Sequence, residues 1–273
     1  MVEIIKEMMS FAFIQRAILV GTLISVCAAL LGVNLVLKRY SMIGDGLSHV
    51  GFGIMTVCAA FGYATPLYIA LPGVAICAII LLKIGNEKKI KSDSAIALIS
   101  STALAIGVAV TSVTTGMNTD VCNFMFGSVL NISKSDVTLS VIVSIIVGLL
   151  FIVYYRKLFS VTFDEEFAMA SGLKVKRYTN IIAILTALII VVGMRMMGVM
   201  LISSIIIFPA LTSMRIFKSF KKVVISSGVV SVLSFLIGMY LSYLYNISTG
   251  AAIVLVNLVF FILFTLFEKI IHE

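Results

Sequence analysis

Charge is scarce in this chain. Only 12% of its 273 residues are Asp, Glu, Lys or Arg, where a soluble domain carries roughly 25%. Polar cover is missing with it: 61% of the residues are hydrophobic and the mean hydropathy is +1.20. A soluble fold could not hide so much apolar surface. Strict alternation of apolar and polar residues is also lacking, which disfavours a transmembrane β-barrel. Histidine is nearly absent, with two in the chain. The four cysteines (Cys27, Cys58, Cys77, Cys122) stand singly in apolar stretches with no CxxC. They read as small packing residues rather than a disulfide frame or a metal cluster. No GxxxxGK[ST] phosphate loop occurs, so ATP hydrolysis is not expected of this chain. No HExxH occurs, which argues against a zinc protease of that kind. Glu3 and Glu7 spoil the basic start that a cleavable signal peptide needs.

What the chain has is long unbroken apolar runs. A membrane-crossing helix needs about 20 mostly apolar residues, which leaves room for about eight to ten of them and for little else. The expected architecture is all-α, a polytopic transmembrane helical bundle forming a single domain over residues 1–273. Spans are expected near 13–37, 41–62, 66–83, 95–115, 136–155, 179–194, 198–214, 223–245 and 250–267. Thr65-Pro66 reads as a helix start, with Pro at the first helical position. Pro209 is a candidate kink. Residues 1–12 look like a short interfacial helix. Residues 121–132 are apolar but too short to cross, and read as an external or re-entrant helix.

The net charge of +8 would suggest nucleic acid in a soluble protein. In a membrane protein it reflects basic cytoplasmic loops, so no nucleic-acid partner is expected and the surroundings are lipid. Lys38-Arg39, Lys83 to Lys91, Arg156 to Arg177, Arg215 to Lys222 and Lys269 fall on one side if there are about nine spans. The other side holds Asp120, Asp136 and the turn at Asn246. The positive-inside rule then places the N-terminus outside and the C-terminus in the cytosol.

Ionisable residues within a span are costly and point to function. Asp45 and His49 are four apart, one turn apart on one face of a helix. An imidazole and a carboxylate make a partial shell for a divalent transition metal. They could equally hydrogen-bond each other, cap a helix start, or form a proton relay as in an ion-coupled secondary transporter. Gly44, Gly46, Gly51 and Gly53 would allow a neighbouring helix close approach. Within the polar stretch 156–178, Phe163 to Gly172 reads as a short amphipathic helix. Asp164 is its N-cap, Glu165 and Glu166 its first-turn acids and Gly172 its stop. It is either a solvated connector or a docking helix.

Four stretches together resemble the bacterial metal-ion ABC importer permeases. They are Leu37-Lys-Arg-Tyr-Ser-Met-Ile-Gly-Asp-Gly-Leu-Ser-His49, Phe126-Gly-Ser-Val-Leu-Asn-Ile-Ser133, the Phe163–Gly172 segment, and Gly198-Val-Met-Leu-Ile-Ser-Ser-Ile-Ile-Ile-Phe-Pro-Ala210. The likeness covers nearly the whole chain. Many relatives carry Pro-Gly just after the histidine, where this chain has Val50-Gly-Phe-Gly53. The resemblance implies a permease of the bacterial plasma membrane that passes zinc, manganese or iron(II) as cargo and holds no permanent cofactor. It is closest to zinc members at Phe163-Asp-Glu-Glu and Phe13-Ile-Gln-Arg-Ala, so zinc is expected first and manganese next. It also implies that Asp45 and His49 line the metal's path. Asp164, Glu165, Glu166, Phe167, Ala168 and Gly172 would couple the chain to a cytosolic ABC ATPase. An extracytoplasmic solute-binding protein would deliver the ion, and two copies of the chain would form the pathway.

Overall fold

In hydrocarbon no water is available to bond a free N–H or C=O, so a chain with these apolar runs must satisfy its backbone within helices. The computed structural model describes residues 8, 10–63, 65–85, 92–114 and 133–272. Ten helices follow one another among them: α1 (Ala12–Leu37), α2 (Ile43–Ala60), α3 (Pro66–Gly85), α4 (Ser92–Val113), α5 (Lys134–Phe163), α6 (Glu165–Ala170), α7 (Val175–Met197), α8 (Val199–Ile216), α9 (Phe220–Tyr245) and α10 (Thr249–His272). Nine of them, all but α6, are long and apolar enough to cross a membrane. The shortest have 18 residues, which is about 27 Å of helix against a hydrocarbon core of about 30 Å. The expected interfacial helix at 1–12, the segment 121–132 and most of the Phe126–Ser133 motif lie outside the described residues.

Helices α1, α2 and α7 form the interior of the bundle, while α4, α5 and α10 are mostly exposed along its flanks. The flanks present Leu98, Ile106, Ile152 and Leu266 to the surroundings, as lipid contact requires. Inside, polar side chains tie helix to helix. The Ser231 hydroxyl donates to the Ser25 carbonyl at 2.9 Å, and the Cys27 thiol to the Ser144 carbonyl at 3.3 Å. In an apolar medium such bonds hold helices that gain little from hydrophobic burial alone. Gly32 marks the closest approach: a methyl there would lie 1.9 Å from the Ile206 carbonyl oxygen.

Two ion pairs define the ends of the bundle. Lys38 pairs with Glu165 where α1 and α5 finish. Arg195 pairs with Asp136 at 3.3 Å, where α5 begins and α7 finishes. Ser133 and Asp136 form a reciprocal capping box at that start of α5.

Two expectations need adjustment. The fifth span does not stop at Tyr155; α5 continues to Phe163, so the stretch 156–178 is mostly helix, broken only at Asp164 and at 171–174. The turn expected between Gly193 and Gly198 is tighter still. Helix α7 runs on to Met197, and Gly198 alone, at φ 89°, separates it from α8. Pro209 is buried within α8, and Pro72 lies within α3.

Candidate transport site

Helix α2 begins deep in the bundle. After α1 ends, residues 38–42 turn the chain back on itself. Arg39 takes the left-handed conformation at φ 61°. The Arg39 N–H donates to the Val36 carbonyl and the Tyr40 N–H to the Leu35 carbonyl, at 3.0 and 2.8 Å. This is the Schellman pattern, which closes a helix end and reverses the chain. The return brings Gly44 against the Ser203–Ile206 stretch of α8, where a methyl on Gly44 would sit 3.4 Å from the Ile206 side chain. Ile206 lies ten residues, about 15 Å, from the end of α8 at Ile216. The first turn of α2 therefore opens well inside the bundle, not at its face.

That turn carries Asp45. His49 follows one turn on, with its Nε2 3.6 Å from the Asp45 Oδ2. The separation is too long for a hydrogen bond and suits an ion pair or two arms around a third atom. The Asp45 side chain is 41% exposed and that of His49 17%. At that depth along the bundle the Asp45 carboxylate is thus half-exposed, while the His49 ring is largely covered. The Ser48 hydroxyl donates to the Asp45 carbonyl at 2.7 Å. Among the described residues no group of three or more His, Cys, Asp or Glu side chains comes together.

The four glycines of α2 divide by what they face. A methyl on Gly53 would lie 2.6 Å from the Ala103 carbonyl oxygen, so α2 and α4 meet backbone to backbone. Gly46 and Gly51 face side chains, those of Ile96 and Met194. Gly44 has room for a methyl at ordinary contact distance.

At the Lys38 end, Asp164 caps α6, and its carboxylate accepts from the Phe167 N–H at 2.9 Å. Gly172, at φ 82°, closes α6 with another Schellman pair, the Leu173 N–H to Ala168 and the Gly172 N–H to Met169, both at 3.0 Å. Phe163, Phe167 and Met169 stand exposed, as do Glu165 and Glu166. Ala168 is fully buried and faces the chain's own bundle, so it belongs to the seat of α6 rather than to its outer face. In the sequence Lys38 reads as one more loop cation. The structure buries its side chain and joins it to Glu165. A basic residue directly after a long apolar run gives no sign of which partner it will find.

The sequence pattern of the ABC 3 transport family matches residues 10–268. The chain belongs to this family. It is 28% identical to a manganese transport system membrane protein of Listeria monocytogenes, over 97% of this chain and 94% of that one. It is 32% identical to a probable iron transport system membrane protein of Haemophilus influenzae, over 99% of both. A high-affinity zinc uptake system membrane protein of the same organism is 30% identical, over 95% of this chain and 98% of that one. The solved structure of PsaBC from Streptococcus pneumoniae in complex with Fab has a chain with the same architecture. Its TM-score is 0.86 at 28% identity, covering 96% of this chain and 94% of that one. Membership and the nine apolar helices make this ABC 3 protein a multi-pass membrane transport component.

Proposed function

We propose that the chain is the membrane-spanning permease of an ABC importer that carries a divalent transition-metal ion into the bacterial cytoplasm. Zinc is the first candidate for cargo, manganese the next and iron(II) the third. The relatives' names run through the same metals. The observation that carries the reading is the Asp45–His49 pair, a carboxylate and an imidazole 3.6 Å apart near the start of a helix that opens inside the bundle. A carboxylate and a histidine together suit borderline divalent ions. Two donors per chain also suit a transport site, which must release what it binds. Two copies of the chain around a two-fold axis would bring four.

ATP hydrolysis belongs to a separate cytosolic subunit seated on α6, with Asp164 and Gly172 shaping the helix and Glu166 and Phe167 presented to the partner. Closure of that subunit would move the spans and alternate the ion's access between the two sides. An extracytoplasmic solute-binding protein would hand over the ion at the opposite end, near Asp136 and Arg195.

The test is ATP-dependent uptake of radiolabelled zinc and, separately, manganese into proteoliposomes holding this chain with its ATPase and binding protein. Wild type should take up zinc. His49→Ala and Asp45→Ala should abolish uptake while the complex still assembles, because the two side chains fill no core. Manganese uptake without zinc uptake would change the cargo. No ATP-dependent uptake of either metal, or of iron(II), by an assembled complex would overturn the reading.

A further inference from the structure

Two polar rungs join the end of α1 to the corner between α5 and α6. The first is Lys38, whose side chain is only 5% exposed. Its Nζ donates to the Glu165 Oε1 at 2.5 Å and to the Thr179 hydroxyl of α7 at 3.3 Å. The second lies one turn back along α1. There the buried Asn34 Oδ1 accepts from the Thr162 hydroxyl at 2.9 Å. Lys38, which caps the end of α1, lies four residues beyond Asn34, and Thr162 and Glu165 are three apart on the other side, so the rungs stack. Tyr40 belongs to the same cluster: burial first and then the Glu165 charge push its phenol up.

The far side of this cluster leads directly to the candidate ion site. Only residues 38–42 separate α1 from α2, and backbone bonds take up their slack. Beyond the Schellman pair at Arg39 and Tyr40, the Ile43 N–H donates to the Tyr40 carbonyl and the Gly46 N–H to the Met42 carbonyl, each at 3.0 Å. The backbone on either side of Lys38 is thus held in place, from Leu35 and Val36 through Tyr40 to the turn that carries Asp45. On the near side Glu165 is the first residue of α6. A buried ammonium is tolerated only while its counter-charge stays with it. If α6 moves, Lys38 must follow Glu165 or be left buried and unpaired.

We infer that Lys38 is a positioning residue that transmits displacement of α6 to the first turn of α2, and so couples ATP hydrolysis to the geometry of Asp45 and His49. The inference rests on the proposed reading of α6 as the ATPase seat and of Asp45 and His49 as the ion's site. It deepens that reading by naming the link between the two.

The experiment measures zinc uptake and ATP hydrolysis together in the reconstituted permease–ATPase–binding-protein complex. Lys38→Met keeps the length of the side chain and removes its charge. The variant complex should still assemble and hydrolyse ATP, while zinc taken up per ATP falls about ten-fold, a size usual for coupling between linked sites. Glu165→Gln added to Lys38→Met should lower that ratio no further, because the pair acts as one unit. Thr162→Val, which removes the second rung with little change of shape, should lower the ratio as well. A wild-type ratio in Lys38→Met overturns the inference and leaves the permease reading standing. So does failure of Lys38→Met to assemble combined with a wild-type ratio in Thr162→Val, which would make Lys38 a purely structural residue. Absence of uptake by the wild-type complex would instead defeat the permease reading itself.

Discussion

Phe167 and Ala168 are neighbours with opposite duties. The Phe167 ring is 67% exposed, while Ala168 is fully buried on the inner side of α6. An aromatic side chain held out from a capped turn is the kind of anchor that dominates a protein interface. Phe167→Ala should therefore weaken ATPase binding by about 1 kcal/mol or more, roughly five-fold in affinity. The melting temperature of the detergent-solubilised permease should stay unchanged. Co-purification at graded ATPase concentrations reads the first, and a thermal shift of the permease alone reads the second. A fall in both would move Phe167 from the docking face into the fold. The start of α6 at Asp164 and its stop at Gly172 were legible because caps and stops use few residue types, whereas Phe163 is the last residue of α5. The inward turn of Ala168 was not, since alanine serves either face of a helix. The Asp45–His49 spacing was equally legible as one turn of helix. Their depth was not, because it depends on Gly44 meeting the middle of α8, a contact between residues over 150 positions apart.

At the scale of the helix, hydropathy locates the part of a segment that suits hydrocarbon and is silent about where the helix ends. That is why α5 outruns its expected span. Arg156 and Lys157 are good helix formers, and Lys157 finds a place over the rings of Tyr154 and Tyr178, 6.0 and 5.6 Å from their centroids. The added turns carry Thr162 to Asn34 and bring Glu165 to Lys38. Contact between α2 and α4 gives a sharper test of helix packing. Gly53→Ala would drive a methyl to 2.6 Å from the Ala103 carbonyl oxygen, and backbone on both sides leaves nothing flexible to yield. Overpacking of this kind costs typically about 1–3 kcal/mol. Gly44→Ala, with room at 3.4 Å from the Ile206 side chain, should cost far less. Thermal denaturation of the two purified variants should separate them, with Gly53→Ala the less stable. Equal stability would mean that α2 and α4 do not meet at this glycine.

The whole molecule has two chemically different ends, and they follow chain parity. Lys38 with Glu165 closes one end, and Phe220 stacks there on Tyr155 and Phe159. Asp136 with Arg195 closes the other. Nine crossings in sequence put the connectors after α1, α6, α8 and α10 at the first end. That end holds Lys38, Arg39, Lys174, Lys218 and Lys269, whereas the turn at 246–248 opposite carries no charge at all. Positive charge stays in the cytosol during insertion, so the α6 end should face the cytoplasm, where an ATPase could reach it. Cysteines introduced singly at Ser171 and Ile247, both exposed, would report this in a chain whose four native cysteines have been replaced. A membrane-impermeant maleimide should label Ile247→Cys in intact cells and Ser171→Cys only after the membrane is opened. Labelling in the reverse order would invert the chain and remove α6 from any cytosolic partner. Labelling of both positions from outside would mean that the crossings between them, α7 to α9, are not three.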